Sequence, residues 1–315
     1  MKCVVTGAAG FAGRALCAEL RRRGHDVTAV VRTRGATIDA DRVIAAGPIE
    51  APPDWPPILR GVDVVFHLAA QVHDVKQLVA PERFHEVNTA ATATLVRACR
   101  AAGVRRFVFV STILVHGTDS GAHALREDSA TNPCTPYASS KLAAEQAVRD
   151  EAGDVEWVIV RPPLVYGPGV KAKFLQLLGI IERGVPLPFG RVTNRRSFIF
   201  AANLVDALIT VAEAPNARNE TFLVADDDAW STAQLIRELA HAGGTRARLL
   251  PFPQWLLRRA ARFVRQLEPL LASLEADTSH VRERLGWRPP FSARDGLRAT
   301  VEWYRGSVAG RLPRR

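Results

Sequence analysis

Cysteine is scarce in this chain. The four residues in 315, at positions 3, 17, 99 and 134, form no CxxC pair and no cluster with histidine. That usage argues against a disulfide framework and against a structural zinc site, so no metal is expected. No run of about 18 uncharged apolar residues occurs, which excludes a membrane-spanning helix. No apolar signal region precedes the first strand-like run, Cys3–Thr6, so the expectation is a soluble, reduced, cytoplasmic protein. Lysine is rare as well, with five against 37 arginines. The net charge of +10 is concentrated late: residues 241–315 carry 15 Arg, no Lys and six acids. A basic surface attracts polyanions, but no nucleic-acid-binding motif accompanies these arginines, so no nucleic acid partner is expected. Apolar residues are not lacking. At 47% of 315 residues they suffice for a large core and about two domains.

The first 165 residues alternate short apolar runs with segments of helical spacing. Cys3–Thr6, Val27–Val31, Val43–Ala46, Val62–Phe66, Phe107–Ser111 and Trp157–Val160 read as buried strands. Arg14–Arg23, Phe84–Ala102 and Ser139–Glu151 read as helices between them, while the proline-rich Pro48–Pro57 reads as a loop. The alternation predicts an α/β fold, a Rossmann-type doubly wound parallel sheet with ligands at the carboxyl ends of its strands. A smaller, mostly helical C-terminal substrate domain follows. The expected limits are 1–167 for the dinucleotide-binding domain, with a return segment near 192–225. Residues 168–191 and 226–315 would form the substrate domain.

Thr6-Gly7-Ala8-Ala9-Gly10-Phe11-Ala12-Gly13 follows the first strand and opens the first helix. Gly7 permits a tight turn, Gly10 lets the backbone approach a pyrophosphate, and Gly13 allows close helix packing. The helix N-terminus then offers free N–H groups and a positive dipole end to the phosphates. An acid ending the second strand would bind the ribose hydroxyls of NAD. Here that strand ends in Val31-Arg32-Thr33-Arg34, and two arginines there suit a 2′-phosphate. The cofactor is therefore read as NAD or NADP, with NADP favoured by Arg32 and Arg34.

Tyr137-Ala138-Ser139-Ser140-Lys141 sets Tyr and Lys one helical turn apart, on one face, behind Pro136. A lysine ammonium beside the phenol lowers its pKa, so Tyr137 can exchange a proton with an alcohol oxygen. Ser111-Thr112 closes a buried strand at the ligand edge of the sheet, where the Thr112 hydroxyl can bond the reacting oxygen.

With these motifs the chain resembles the extended short-chain dehydrogenase/reductases, in their NAD-dependent epimerase/dehydratase branch. The markers are the glycine loop, His67-Leu68-Ala69-Ala70, Ser111-Thr112, the Tyr137/Lys141 pair and Arg161-Pro162-Pro163-Leu164-Val165-Tyr166-Gly167-Pro168. The resemblance implies a catalytic triad of Thr112, Tyr137 and Lys141. It implies cofactor contacts from Gly7, Gly10, Phe11, Ala12, Gly13, Leu68, Ala69, Ala70, Tyr137, Lys141 and Pro163. Substrate contacts are implied for Thr112, Lys173, Phe189 and Arg196, with Arg196 at the diphosphate and Phe189 near the base. Gly184–Gly190, Asn194–Ser197 and Leu285–Phe291 resemble a subgroup similar to UDP-glucose 4-epimerase that acts in surface-polysaccharide synthesis. A UDP-sugar is thus the implied substrate, and a homodimer the implied assembly.

In the family's sugar 4,6-dehydratases an Asp and a Glu follow the catalytic Thr. Ile113 and Leu114 stand there in this chain and cannot move a proton. Simple hydride chemistry remains, and the resemblance to the polysaccharide subgroup makes the leading reading reduction of the C4 ketone of a UDP-4-keto-6-deoxy-N-acetylhexosamine, with Tyr137 as proton donor. The alternative is a UDP-sugar 4-epimerase with bound NAD. A non-catalytic dinucleotide-binding regulator is disfavoured by the presence of both Tyr137 and Lys141. Gln254–Leu274 reads as a basic amphipathic helix interrupted near Pro269. It would pack its apolar face on the substrate domain, or lie on the anionic inner face of a membrane.

Overall fold

A computed structural model of the chain describes residues 1–51, 53–72, 79–264 and 267–307. The apolar runs form β1 (Lys2–Thr6), β2 (Asp26–Val31), β3 (Arg42–Ala45), β4 (Val64–His67), β5 (Arg106–Val110) and β6 (Glu156–Arg161). Four more strands follow: β7 (Leu164–Tyr166), β8 (Arg196–Phe200), β9 (Glu220–Leu223) and β10 (Ala229–Trp230). Seven of them make one parallel sheet in the order β3-β2-β1-β4-β5-β6-β9. Strands β4 and β5 are apolar runs without alternation because helices cover both faces of the sheet.

One face is covered by α1 (Phe11–Arg22). On the opposite face lie α2 (Trp55–Leu59), a helical stretch made of α3 (Pro81–Phe84), a π-helical turn (His85–Ala90) and α4 (Ala91–Ala101), and then α5 (Pro136–Glu151). Downstream come α6 (Ala172–Glu182) and α7 (Ala201–Glu213), of which α7 joins α1 on its face. Leu16, Leu20, Leu204 and Leu208 share a core with Val5 and Val158. Leu95, Cys99, Ala144 and Val148 share another with Phe107 and Ile159. Each fully buried Leu, Val, Ile or Phe side chain among them contributes about 1.5–3 kcal/mol. Cys3, Cys17 and Cys99 are buried free thiols in these cores, and Cys134 is free and exposed.

The remaining helices are α8 (Thr232–Ala242), α9 (Gln254–Ala261), α10 (Glu268–Leu271), α11 (Ser279–Leu285) and α12 (Ala293–Ser307). A three-stranded sheet, β10-β8-β7, belongs to this later part of the chain. Tyr166, Phe174, Leu178, Phe189, Phe198 and Leu257 are among the members of its core. Strand β8 links the two parts, with Ile199 in the first core and its neighbours Phe198 and Phe200 in this one.

Three elements differ from the sequence reading. The amphipathic helix expected over Gln254–Leu274 with a break near Pro269 ends instead at Ala261, and Pro269 lies in the first turn of α10, where its missing N–H costs nothing. Residues 55–59 are helical although Pro56 and Pro57 fall inside them. Both prolines lie in the first turn, where the N–H groups have no intrahelical acceptor and nothing is lost. The helix expected over Phe84–Ala102 starts at Pro81 and contains the π-turn. Among the described residues no helix is long and apolar enough to cross a membrane.

Candidate active site

Strand order reverses on either side of β1 and β4, which opens a crevice at their carboxyl ends. The glycine loop enters it directly from β1. Gly7 has φ +71, a left-handed conformation that only glycine adopts without strain, and a Cβ there would stand 2.6 Å from the Ala69 nitrogen. A Cβ on Gly13 would overlap the Gly7 carbonyl oxygen and come within 2.9 Å of Ala8 Cα. The loop closes on itself through Gly10 N donating to Gly7 O at 2.9 Å. Helix α1 then begins with no side-chain cap and no acid in its first turn. Its N–H groups at Phe11, Ala12 and Gly13 and its positive dipole end thus suit a pyrophosphate. This cradle, which a Cβ would fill, fits a dinucleotide. The Phe11 ring leaves the loop to lie 3.5 Å from the position a Cβ would take on Gly167 or Gly169.

Leu68, Ala69 and Ala70 continue β4 beside this loop, with Leu68 N donating to Thr6 O. His67 locks the junction. Thr92 Oγ1 gives its proton to Asn88 O at 2.6 Å, so it accepts from His67 Nε2 at 2.9 Å. His67 Nδ1 then accepts from Thr6 Oγ1 at 2.6 Å. Thr6 Oγ1 in turn lies within 3.4 Å of the Ala69 N–H. Burial, reinforced by the Lys141 charge, pushes the His67 pKa down to about 3, so the ring is neutral and holds one tautomer.

The triad is assembled by β5 and α5. Thr135 caps α5, accepting from Ala138 N at 3.1 Å, and Pro136 occupies the first turn. Tyr137 and Lys141 follow one turn apart. Lys141 is buried, with Nζ 3.9 Å from the centroid of Phe109 on β5. Burial lowers its pKa to about 7, against the opposing charge of Glu145. The Tyr137 phenol is raised to about 12 by burial, and its hydrogen bond with the Thr112 hydroxyl opposes that rise. Thr112 Oγ1 also accepts from Leu114 N at 3.3 Å. The three predicted catalytic side chains and the glycine loop therefore meet at one edge of the sheet.

Beneath the triad lies a buried ionic network that the sequence reading missed. Glu145 accepts from Ser111 Oγ at 2.5 Å and from Arg161 Nε and Nη2 at 2.9 and 2.6 Å. Burial would raise the Glu145 pKa, but the Arg161 hydrogen bonds and charge, with Ser111 and Arg149, hold it below the ordinary carboxylate value. Arg161 Nη1 donates to His116 Nε2 at 2.9 Å, so His116 Nδ1 carries the proton given to Ser129 O at 3.0 Å. Burial, then the Arg161 charge, lowers the His116 pKa. Glu145 lies four residues beyond Lys141, and that helical spacing was its available signal. Asn88, in the π-turn, was missed too. It donates to Ser140 Oγ at 2.9 Å and to Gln71 O at 3.0 Å, and accepts from Gln71 N at 2.8 Å. Ser140 Oγ donates on to the Tyr137 carbonyl at 2.8 Å. Asn88 thus ties the loop after β4 to the catalytic helix.

Other expected residues lie farther out. Pro163 is buried between β6 and β7, next to Pro162, whose carbonyl accepts from Ile113 N at 3.0 Å. Arg32 and Arg34 follow the end of β2, both exposed, and neither is ion-paired among the described residues. Phe189 is buried in the core of the smaller sheet. Arg196 donates to Ala272 O at 3.2 Å. Burial lowers its pKa while the Asp119 charge opposes this, and it has no ion pair among the described residues. Its neighbour Arg195 is held bidentately by Glu275, both contacts at 2.6 Å. Among the described residues Arg196 thus lacks the carboxylate partner that its neighbour has. Lys173 has its side chain outside the described residues.

Similarity to known proteins extends over most of the chain. The NAD dependent epimerase/dehydratase family model matches residues 3–225. A UDP-glucose 4-epimerase of Vibrio cholerae is 36% identical over 309 residues, 95% of this chain and 94% of its own length. A dTDP-D-glucose 4,6-dehydratase of Mus musculus is 32% identical over 251 residues, 78% of this chain and 68% of its own length. The structure of MoeE5 in complex with UDP-glucuronic acid and NAD superposes with a TM-score of 0.81 at 28% identity, covering 98% of this chain and 100% of that one.

Proposed function

Because the chain belongs to the NAD dependent epimerase/dehydratase family, we propose that it moves a hydride at C4 of a UDP-hexose. The observation that carries this reading is the Thr112–Tyr137–Lys141 assembly, with Ile113 and Leu114 in the two positions after the threonine. Dehydration requires an acid and a base at those positions. Ile113 is packed with Leu223 and Leu274 in an apolar cluster instead. Proton transfer at a single oxygen is what remains.

In that reaction Tyr137 holds the proton exchanged with the C4 oxygen, and the Thr112 hydroxyl orients that oxygen. Burial raises the Tyr137 phenol, and a protonated Lys141 one helical turn away would favour the phenolate against it. The nicotinamide, when bound, would supply the hydride acceptor or donor, and in its oxidised form alone a positive charge that favours the phenolate. Arg196 faces the diphosphate, and Phe189 packs behind the uracil subsite. The likeness to the Vibrio cholerae enzyme favours 4-epimerisation, in which the hydride leaves and returns to the opposite face of the sugar. Arg32 and Arg34, with no acid at the end of β2, favour the second reading. That reading is reduction of a UDP-4-keto-6-deoxy-N-acetylhexosamine by NADPH. Both readings place the protein with cytoplasmic nucleotide sugars.

The test is to denature freshly purified protein and identify any dinucleotide it releases. Near-stoichiometric NAD⁺ supports the epimerase, which regenerates its cofactor in every cycle. Empty protein that then binds NADPH supports the reductase. Protein that binds neither dinucleotide overturns both readings.

A further inference from the structure

Residues 239–267 contain six arginines and no acid. Within this stretch α9 is amphipathic in an unusual sense. Its inner face is already satisfied, since Leu257 is buried and Ala261 packs against the core of the smaller sheet. Its outer face carries Trp255, Arg258, Arg259 and Arg262, at spacings of three, four and seven residues that place them on one side. Trp255 is 68% exposed, and Phe263, just past the helix, is 86% exposed. Leu250, Phe252 and Val264 are exposed along the same segment. Five large apolar side chains exposed within fifteen residues of sequence point to a contact site.

The charges choose the partner. Arg282, Arg284, Arg294, Arg298 and Arg305 are each paired with a carboxylate. Among the described residues Arg258, Arg259 and Arg262 have no ion pair, and all three are exposed. Tryptophan and phenylalanine interleaved with unpaired arginines match the boundary between lipid headgroups and acyl chains. There the aromatic rings sit at headgroup depth and the guanidinium groups bond phosphate. We propose that the outer face of α9 docks the protein on an anionic lipid bilayer. The rings of Trp255 and Phe263 enter the interface while Arg258, Arg259 and Arg262 bind headgroup phosphates. Attraction to an anionic leaflet changes partitioning by about fivefold per arginine.

The experiment is co-sedimentation of the full chain with vesicles of equal parts phosphatidylglycerol and phosphatidylcholine, and with phosphatidylcholine alone. The expected result is binding to the anionic vesicles that salt reverses. It should weaken on the order of a hundredfold in the Arg258→Gln/Arg259→Gln/Arg262→Gln variant. Trp255→Ser/Phe263→Ser should weaken it as well. All substituted side chains are exposed, so thermal midpoint and dinucleotide binding should match the unsubstituted protein. No binding to anionic vesicles, or equal binding by both variants, overturns the proposal. So does conversion of a lipid-free oligomer to a smaller species in the variants, because the occupant is then a second copy of the chain.

Discussion

The Lys141 ammonium stands over the Phe109 ring, 3.9 Å from its centroid, and that ring stacks on His67 at 5.7 Å between centroids. The only cation of the triad therefore sits on an aromatic face, beside a neutral histidine whose tautomer ties down the glycine loop. Cofactor loop and catalytic helix are coupled through these three side chains.

Lys141 titrates near 7 in the folded protein and near 10.4 in an unfolded chain. Between those values the unfolded chain binds more protons, so this residue makes stability rise with pH from about 7 to about 10. Below that window its buried charge is destabilising. Cofactor-free Lys141→Met should therefore be more stable than the unsubstituted protein at about pH 7, by at least about 1 kcal/mol, and the gap should close towards pH 9. Urea unfolding across that range measures it. A variant that is less stable at pH 7 contradicts the assignment.

Glu145→Gln leaves Arg161 buried without its counter-charge. Breaking a buried pair from one side costs about 3–5 kcal/mol, whereas replacing both partners by apolar residues costs much less. Unfolding free energies should show that pattern, with Glu145→Met/Arg161→Met more stable than Glu145→Gln. A double variant no more stable than Glu145→Gln would contradict this assignment.

Gly13→Ala should weaken dinucleotide binding at least about tenfold, because the new methyl overlaps the Gly7 carbonyl and forces the loop open. Gly24→Ala makes a useful control. Gly24, unlike Gly13, has a positive φ, of +80, and nothing lies within 4 Å of the added Cβ. It should cost stability and leave cofactor affinity alone. Calorimetric titration distinguishes the two.

The phosphate loop and the Tyr137/Lys141 pair were legible because each is a local pattern: glycines around one turn, and two side chains one helical turn apart. The sheet was legible for the same reason, from runs such as Val64–His67 that are buried along their whole length. The network beneath the triad was not. Ser111, Glu145 and Arg161 are 34 and 16 residues apart, and only the pairing of β5 with β6 beside α5 brings them together. Asn88 was hidden because its role depends on a π-turn that helical periodicity does not mark. The helix at Trp55–Leu59 was hidden by its prolines, whose effect depends on where the first turn falls.

Arg32 and Arg34 set a test of cofactor choice. Arg32→Ala/Arg34→Ala should weaken NADPH binding about tenfold or more and leave NADH within about twofold, since only the 2′-phosphate loses a partner. Equal loss for both dinucleotides, or none for either, removes the argument for NADP and with it the main support for the reductase.

The central claim is hydride transfer at C4 with Tyr137 as proton carrier. Its most direct test is to mix dinucleotide-loaded protein with UDP-hexoses, or NADPH-loaded protein with UDP-4-keto sugars, and follow reduced-nicotinamide absorbance through one turnover. The account predicts a change in absorbance with one of these substrate classes, slowed by about a hundredfold or more in Tyr137→Phe while dinucleotide binding is retained. No change with either class, or an equal rate in Tyr137→Phe, would contradict it.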